Sequence, residues 1–153
     1  MLLYNRGRIC CGCASFAIPN NCMILTDEME SLDAYGIHFA NASASYTVLA
    51  KFINSEQEPQ TEMMEITASV TSQPSVIVPY EKNGMSGCYT AYRDRHYSYL
   101  EFLIVAETGV RDREDMPLNR LSVIVVSEDA AAIDQAISDN LIWDLVNSLT
   151  VSK

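Results

Sequence analysis

The sequence is short of positive charge. Its 153 residues carry ten lysines and arginines against twenty aspartates and glutamates, a formal net charge of −10. Nine of those carboxylates lie between Asn21 and Lys82, where only Lys51 and Lys82 oppose them. A surface of that sign repels phosphate backbones and anionic headgroups, and no run of lysine or arginine offsets it. Neither nucleic acid nor a membrane is an expected partner. Also missing is any apolar stretch of the ~20 residues that a membrane-spanning helix needs. The opening MLLYNRGRICCGC has no apolar h-region, because Asn5, Arg6 and Arg8 interrupt it. A secretory signal, or a lipoprotein signal ending at Cys10, is not expected. The five cysteines then read as free thiols of a cytoplasmic protein.

Several signatures of chemistry are missing too. Neither G-x-x-x-x-G-K nor G-x-G-x-x-G occurs, so nucleotide phosphates have no recognisable cradle and no cofactor is expected. The acidic group Asp27, Glu28, Glu30 and Asp33 lacks EF-hand spacing and reads as a solvated edge. No repeat, low-complexity tract or linker divides the chain, which reads as one domain over residues 1–153. At that length roughly 70% of the unfolded surface is buried, enough for a core without staples.

What is present is strand-like alternation closed by a helical stripe. Residues 8–18 read as one strand, ended by Pro19-Asn20-Asn21, and 22–25 as a short second one. Residues 27–35 leave room for a helical turn. Further strands are expected at 36–40 and 46–53, then a loop at 54–60. Thr61 reads as the N-cap of a helix over 62–71, with Met63, Ile66 and Val70 on one face and Pro74 as its stop. Strands follow at 76–82, 88–94 and 97–108, the first pair joined through Asn83-Gly84-Met85-Ser86-Gly87. Along 97–108, Leu100, Phe102, Ile104 and Ala106 face one way; Tyr97, Tyr99, Glu101 and Leu103 face the other. The loop at 109–119 holds a self-neutralising charge knot, Arg111 to Asp115, and 121–126 is apolar on both faces, as in a central strand. Asp129 caps a helix with Ile133 and Ile137, whose stripe continues through Leu141, Ile142, Leu145, Val146 and Leu149. A restart at Asp139 or Asn140 is equally allowed. Without alternating βα units, the fold class is α+β, a largely antiparallel sheet with helices packed on it.

Three features resemble the PsbP-like superfamily. They are Phe16-Ala17-Ile18-Pro19 closing the first strand, Asn83-Gly84-Met85-Ser86-Gly87 entering the meander, and Val146-Asn147-Ser148-Leu149 in the closing helix. The resemblance implies a three-layer domain with no shared catalytic site. Its members include a nuclear-import factor that binds a small GTPase, photosystem subunits and bacterial adaptors for secretion effectors, most of which act by binding proteins. The missing signal or transit peptide sets this chain apart from the exported members, and no functional residue carries over.

Three candidate sites compete. Cys10 and Cys13 form a C-x-x-C that zinc or an iron–sulfur cluster favours, but no second pair accompanies them and no helix N-terminus follows to activate a thiol. Read on one continuous strand, Cys11 and Cys13 share a side, Cys10 faces away with Phe16 and Ile18, and the cysteines are core residues. Cys88 and His96 suit a Cys–His hydrolase, without an identifiable third residue; His38 reads as structural. The strongest candidate is the aromatic set Tyr89, Tyr92, Tyr97 and Tyr99 beside Arg93 and Arg95, residue types that dominate interface hot spots. Tyr97, Tyr99, Arg93 and Leu103 are the expected partner-binding residues, exposed if helices cover only the sheet's other face. The expected function is a non-catalytic protein-interaction or adaptor domain with a neutral or basic protein partner. A second copy of the chain is also allowed.

Overall fold

The computed structural model describes residues 2–25, 35–72 and 75–152. The helical turn expected within 27–35 lies outside them, apart from Tyr35, as does Pro74. In chain order the strands are β1 (Leu3–Asn5), β2 (Arg8–Cys11), β3 (Ala14–Ala17), β4 (Cys22–Ile24), β5 (Gly36–Asn41) and β6 (Thr47–Ile53). After helix α1 (Pro59–Val70) come β7 (Val78–Lys82), β8 (Met85–Arg93), β9 (Ser98–Val105) and β10 (Arg120–Ser127). Helices α2 (Ala130–Ser138) and α3 (Asn140–Asn147) precede a closing strand, β11 (Thr150–Val151). A seven-stranded sheet runs β4-β5-β6-β10-β9-β8-β7, a four-stranded one β1-β2-β3-β11, and every named pairing is antiparallel. The fold is α+β, as expected from the element order.

Local chemistry explains most boundaries. β10 sits between β6 and β9, the central place its two-sided apolar sequence asks for. Asn83 and Gly84, at φ of 55° and 78°, form the two-residue turn between Lys82 and Met85, the φ > 0 pair that an Asn-Gly hairpin favours. Asp129 accepts from the Ala131 amide at 2.9 Å and starts α2. Asp139 then accepts from the Leu141 amide at 3.1 Å, so the terminal stripe is two short helices and not one bent one.

Three expectations are corrected. The strand expected over 8–18 is a hairpin, because the chain reverses at Gly12-Cys13 between Cys11 and Ala14. Gly12 has φ +55°, and a β-carbon there would stand 2.2 Å from the Thr108 carbonyl oxygen, so only glycine fits. The first helix starts at Pro59, not after Thr61; Pro59 fills the first turn, where its missing N–H costs nothing. Leu149 is buried but lies beyond the last helix, which stops at Asn147, and β11 pairs with β3.

The two faces of the large sheet are covered unequally. On the first, Phe39, Phe52, Leu100, Phe102, Val123 and Val125 share one core cluster with Phe16 of the small sheet, Ile133 of α2, and Ile142 and Leu145 of α3. On the second, α1 sets Met63 against Cys88 and Leu103, flanked by Ile53, Ile66 and Ile77. No helix among the described residues is long and apolar enough to cross a membrane.

Candidate protein-binding surface at the open end of the sheet

The turn between β8 and β9 is built by Asp94. Its Oδ1 accepts the amides of His96 and Tyr97, both at 2.8 Å, and its Oδ2 accepts the Tyr99 hydroxyl at 2.8 Å. These three donors hold the carboxyl below the ordinary aspartate range. Tyr99 responds in the opposite sense: partial burial, then Asp94, push its phenol up to about 12. The rings of Tyr92 and Tyr99 stack at 4.9 Å and 19°, and Tyr97 tilts against Tyr99 at 6.4 Å. Tyr97 stays 40% exposed, Arg93 and Arg95 are exposed, and Tyr99 is half-buried. Leu100 and Phe102, out of phase with Tyr99, are buried, as the alternation requires.

The other candidate residues scatter. Leu103 is fully buried beneath α1. It belongs to no exposed patch, because a helix crosses this half of the second face. Tyr89 lies on the opposite face, stacked on Phe102 at 5.2 Å and edge-on to Trp143 at 5.2 Å. Cys88 and His96 do not form a dyad. Cys88 is buried in mid-sheet under α1, where burial pushes its thiol up to about 11. His96 is exposed in the turn, ~20 Å away along the strand. Of the N-terminal cysteines Cys11 is buried, but Cys10 is half-buried and Cys13 exposed, so the core reading fails at the turn. The reversal at Gly12 also puts Cys11, not Cys10, on the Phe16 side. No group of three or more His, Cys, Asp or Glu among the described residues is placed to hold a metal ion.

Beneath α1 lies a polar cluster that the linear sequence did not reveal. Arg120, buried on β10, donates from Nη1 to Glu62 Oε1 at 2.6 Å and from Nη2 to the Gln57 carbonyl at 2.5 Å. Glu101 is buried on β9 and accepts the Tyr92 hydroxyl at 2.6 Å. Burial raises the Glu101 pKa, the Tyr92 hydrogen bond opposes that shift, and the Glu62 carboxylate adds to it. A carboxyl whose pKa is raised by folding favours the folded state below its unfolded pKa of ~4.3 and loses that contribution as pH climbs through the folded value. Glu101→Gln, which keeps an acceptor for Tyr92, is therefore expected to stabilise the protein at pH 7. The gain should vanish near pH 4 in thermal melts across that range. A variant equally destabilised at both pH values would mean that the charged carboxylate is well accommodated.

Next to the Asp94 turn the two helical layers stop short and leave an open groove of about 650 Å³. Its lining includes Val70 at the end of α1, Val76 before β7, Ala91 and Tyr92 of β8, and Ile137 of α2. Val70, Val76 and Ile137 are three of the large apolar side chains left exposed, Val76 at 81%. Arg93, Asp94 and Arg95 are the charged residues among those lining it. Comparison with protein families, with curated proteins and with solved structures found no match.

Proposed function

We propose that this domain is a cytoplasmic, non-catalytic adaptor that receives a protein partner at the open end of the sheet, where Arg93 and Tyr97 stand. The observation that supports it is the meeting of three features at one place: an exposed tyrosine on a turn braced by Asp94, two exposed arginines, and an apolar groove. Tyrosine and arginine carry much of the energy of protein interfaces, and a pre-braced turn lowers the ordering cost of binding. The two chemical alternatives draw less support, since Cys88 lies far from His96 and, among the described residues, the Cys10–Cys13 pair gathers no further ligand. The PsbP-like motifs point the same way, because proteins of that superfamily act mostly by binding other proteins.

Tyr97 gives a cleaner test than Tyr99, whose hydroxyl is also a donor to Asp94. A photo-crosslinking residue at position 97 would first identify the partner. Tyr97→Ala should then weaken the purified complex by about 2 kcal/mol or more, roughly 30-fold, with the unfolding midpoint nearly unchanged. An affinity within about twofold of the parent, in a folded variant, would overturn the assignment.

A further inference from the structure

The helices on the two faces of the large sheet are held unequally. On the first face, α3 buries Ile142, Leu145 and Val146 within eight residues. On the second, α1 is twelve residues long and buries Pro59, Met63 and Thr67, of which Met63 alone carries a long apolar side chain. Met64 and Val70 of the same helix stand exposed. Its N-cap, Glu58, makes no side-chain cap bond, so its first turn lacks the bracing that starts α2 and α3. What α1 covers is also costly to cover. Among the described residues the buried charged side chains are Glu101 and Arg120, and both lie under this helix. The Glu62–Arg120 pair is the one polar contact between α1 and the sheet among the described residues, and Arg120 Nε has no partner. A buried pair adds little net stability, because its attraction is offset by the desolvation of both charges. Lifting α1 returns Glu62, Glu101 and Arg120 to water and gives up the burial of one methionine. The chain on either side is pinned to the sheet. Before the helix, the Ser55 amide donates to Asn119 Oδ1 and Asn119 Nδ2 donates to the Ser55 carbonyl, both at 2.9 Å. After it, the Val76 carbonyl accepts the Thr90 hydroxyl at 2.6 Å. A weakly held element between two fixed points can open without unfolding of the rest.

We infer that α1 is a strap that lifts from the sheet as a unit while the two sheets, α2 and α3 stay folded. The inference goes beyond the partner-binding reading and does not depend on it. Lifting uncovers Cys88 and Leu103. It extends the accessible second face along β9 from Tyr99 through Glu101 to Leu103, residues that alternate onto one side. It also takes Val70 out of the wall of the groove. Two buried thiols distinguish this motion from global unfolding. Cys88 lies under α1, whereas Cys11 belongs to the first-face cluster that holds α2 and α3. Neither has solvent exposure in the closed form.

The test removes the more accessible thiols as Cys10→Ser, Cys13→Ser and Cys22→Ser and labels the folded full chain with a maleimide. Reagent is kept low enough for the rate to be proportional to its concentration, so that labelling follows the population of the open form. Cys88 should label at least about a hundredfold faster than Cys11. Glu62→Gln should speed the labelling of Cys88 by roughly a hundredfold, because the guanidinium it leaves behind is rehydrated when α1 lifts. Ile142→Val, a small truncation in α3, should speed Cys11 by about fivefold and leave Cys88 unchanged, since α3 is docked in the closed and the lifted form alike. Equal labelling of the two thiols, an equal response of both to Ile142→Val, or no acceleration of Cys88 by Glu62→Gln would each overturn the inference. Should the serine variant not fold, amide exchange of the unaltered chain replaces labelling. The amides of Met63 to Val70 should then exchange faster than those of Val123 and Val125, and only the latter should respond to Ile142→Val. Equal protection of the two sets would overturn the strap.

Discussion

Glu62→Gln is expected to cost about 3 kcal/mol of folding stability. Glu62 is the charged partner of Arg120, whose side chain is 5% exposed and whose Nε has no hydrogen-bond partner. Glutamine keeps an acceptor oxygen but no charge, so the buried guanidinium is left with two neutral acceptors, the new amide and the Gln57 carbonyl, in place of its carboxylate. Removing one member of a buried pair typically costs about 3–5 kcal/mol, most of it the desolvated charge left behind. The lower end applies because Glu62 retains some contact with solvent, at 18% exposure. Arg120→Met on the Glu62→Gln background should recover most of the loss, since a hydrophobic replacement of the whole pair is often neutral or better. Denaturant midpoints of the two single variants and the double variant give the coupling directly. A Glu62→Gln loss below about 1 kcal/mol would mean that Arg120 is hydrated and that α1 is held by its apolar contacts alone.

Leu145→Ala should cost a similar amount, within the range of about 2–5 kcal/mol for a buried leucine reduced to alanine. Leu145 is fully buried in the first-face cluster, on the same short helix as Ile142 and Val146. That helix is eight residues long, too short to be stable alone. Its existence depends on this contact. The loss should be cooperative, with circular dichroism and tryptophan fluorescence moving together, because Trp143 of the same helix packs edge-on to Tyr89 and Phe102. A cost below about 0.5 kcal/mol would show that α3 is not docked on the sheet.

The parts of this fold that could be read from sequence are those written in local periodicity. The two-sided apolar run of β10, the alternation of β9, the Asn83-Gly84 turn and the Asp129 cap each encode their structure within a few residues. The hairpin at Gly12 was not legible in this way. Its cause is the approach of Thr108 and Val110, about a hundred residues on. The same limit governs the site. That Tyr97 and Tyr99 are out of phase with Leu100 and Phe102 follows from a period of two. Whether Leu103 shares their exposure depends on where α1 crosses, which no periodicity states. The Glu62–Arg120 pair joins residues 58 apart, and the groove draws its walls from α1, the chain before β7, and α2. Such a site exists only after folding. The buried Cys88 shows the converse: a residue type that suggests chemistry can be filling space under a helix.

The central claim is that partners dock at the open end of the sheet beside β8. Hydrogen exchange of the full chain, measured with and without the partner captured from position 97, tests it most directly. The expected result is added protection at Ala91, Arg93 and the Asp94–Tyr97 turn, with the edges at β1 and β4 unchanged. Protection confined to those distant edges, leaving the amides of Ala91 to Tyr97 exchanging as in the free protein, would contradict it.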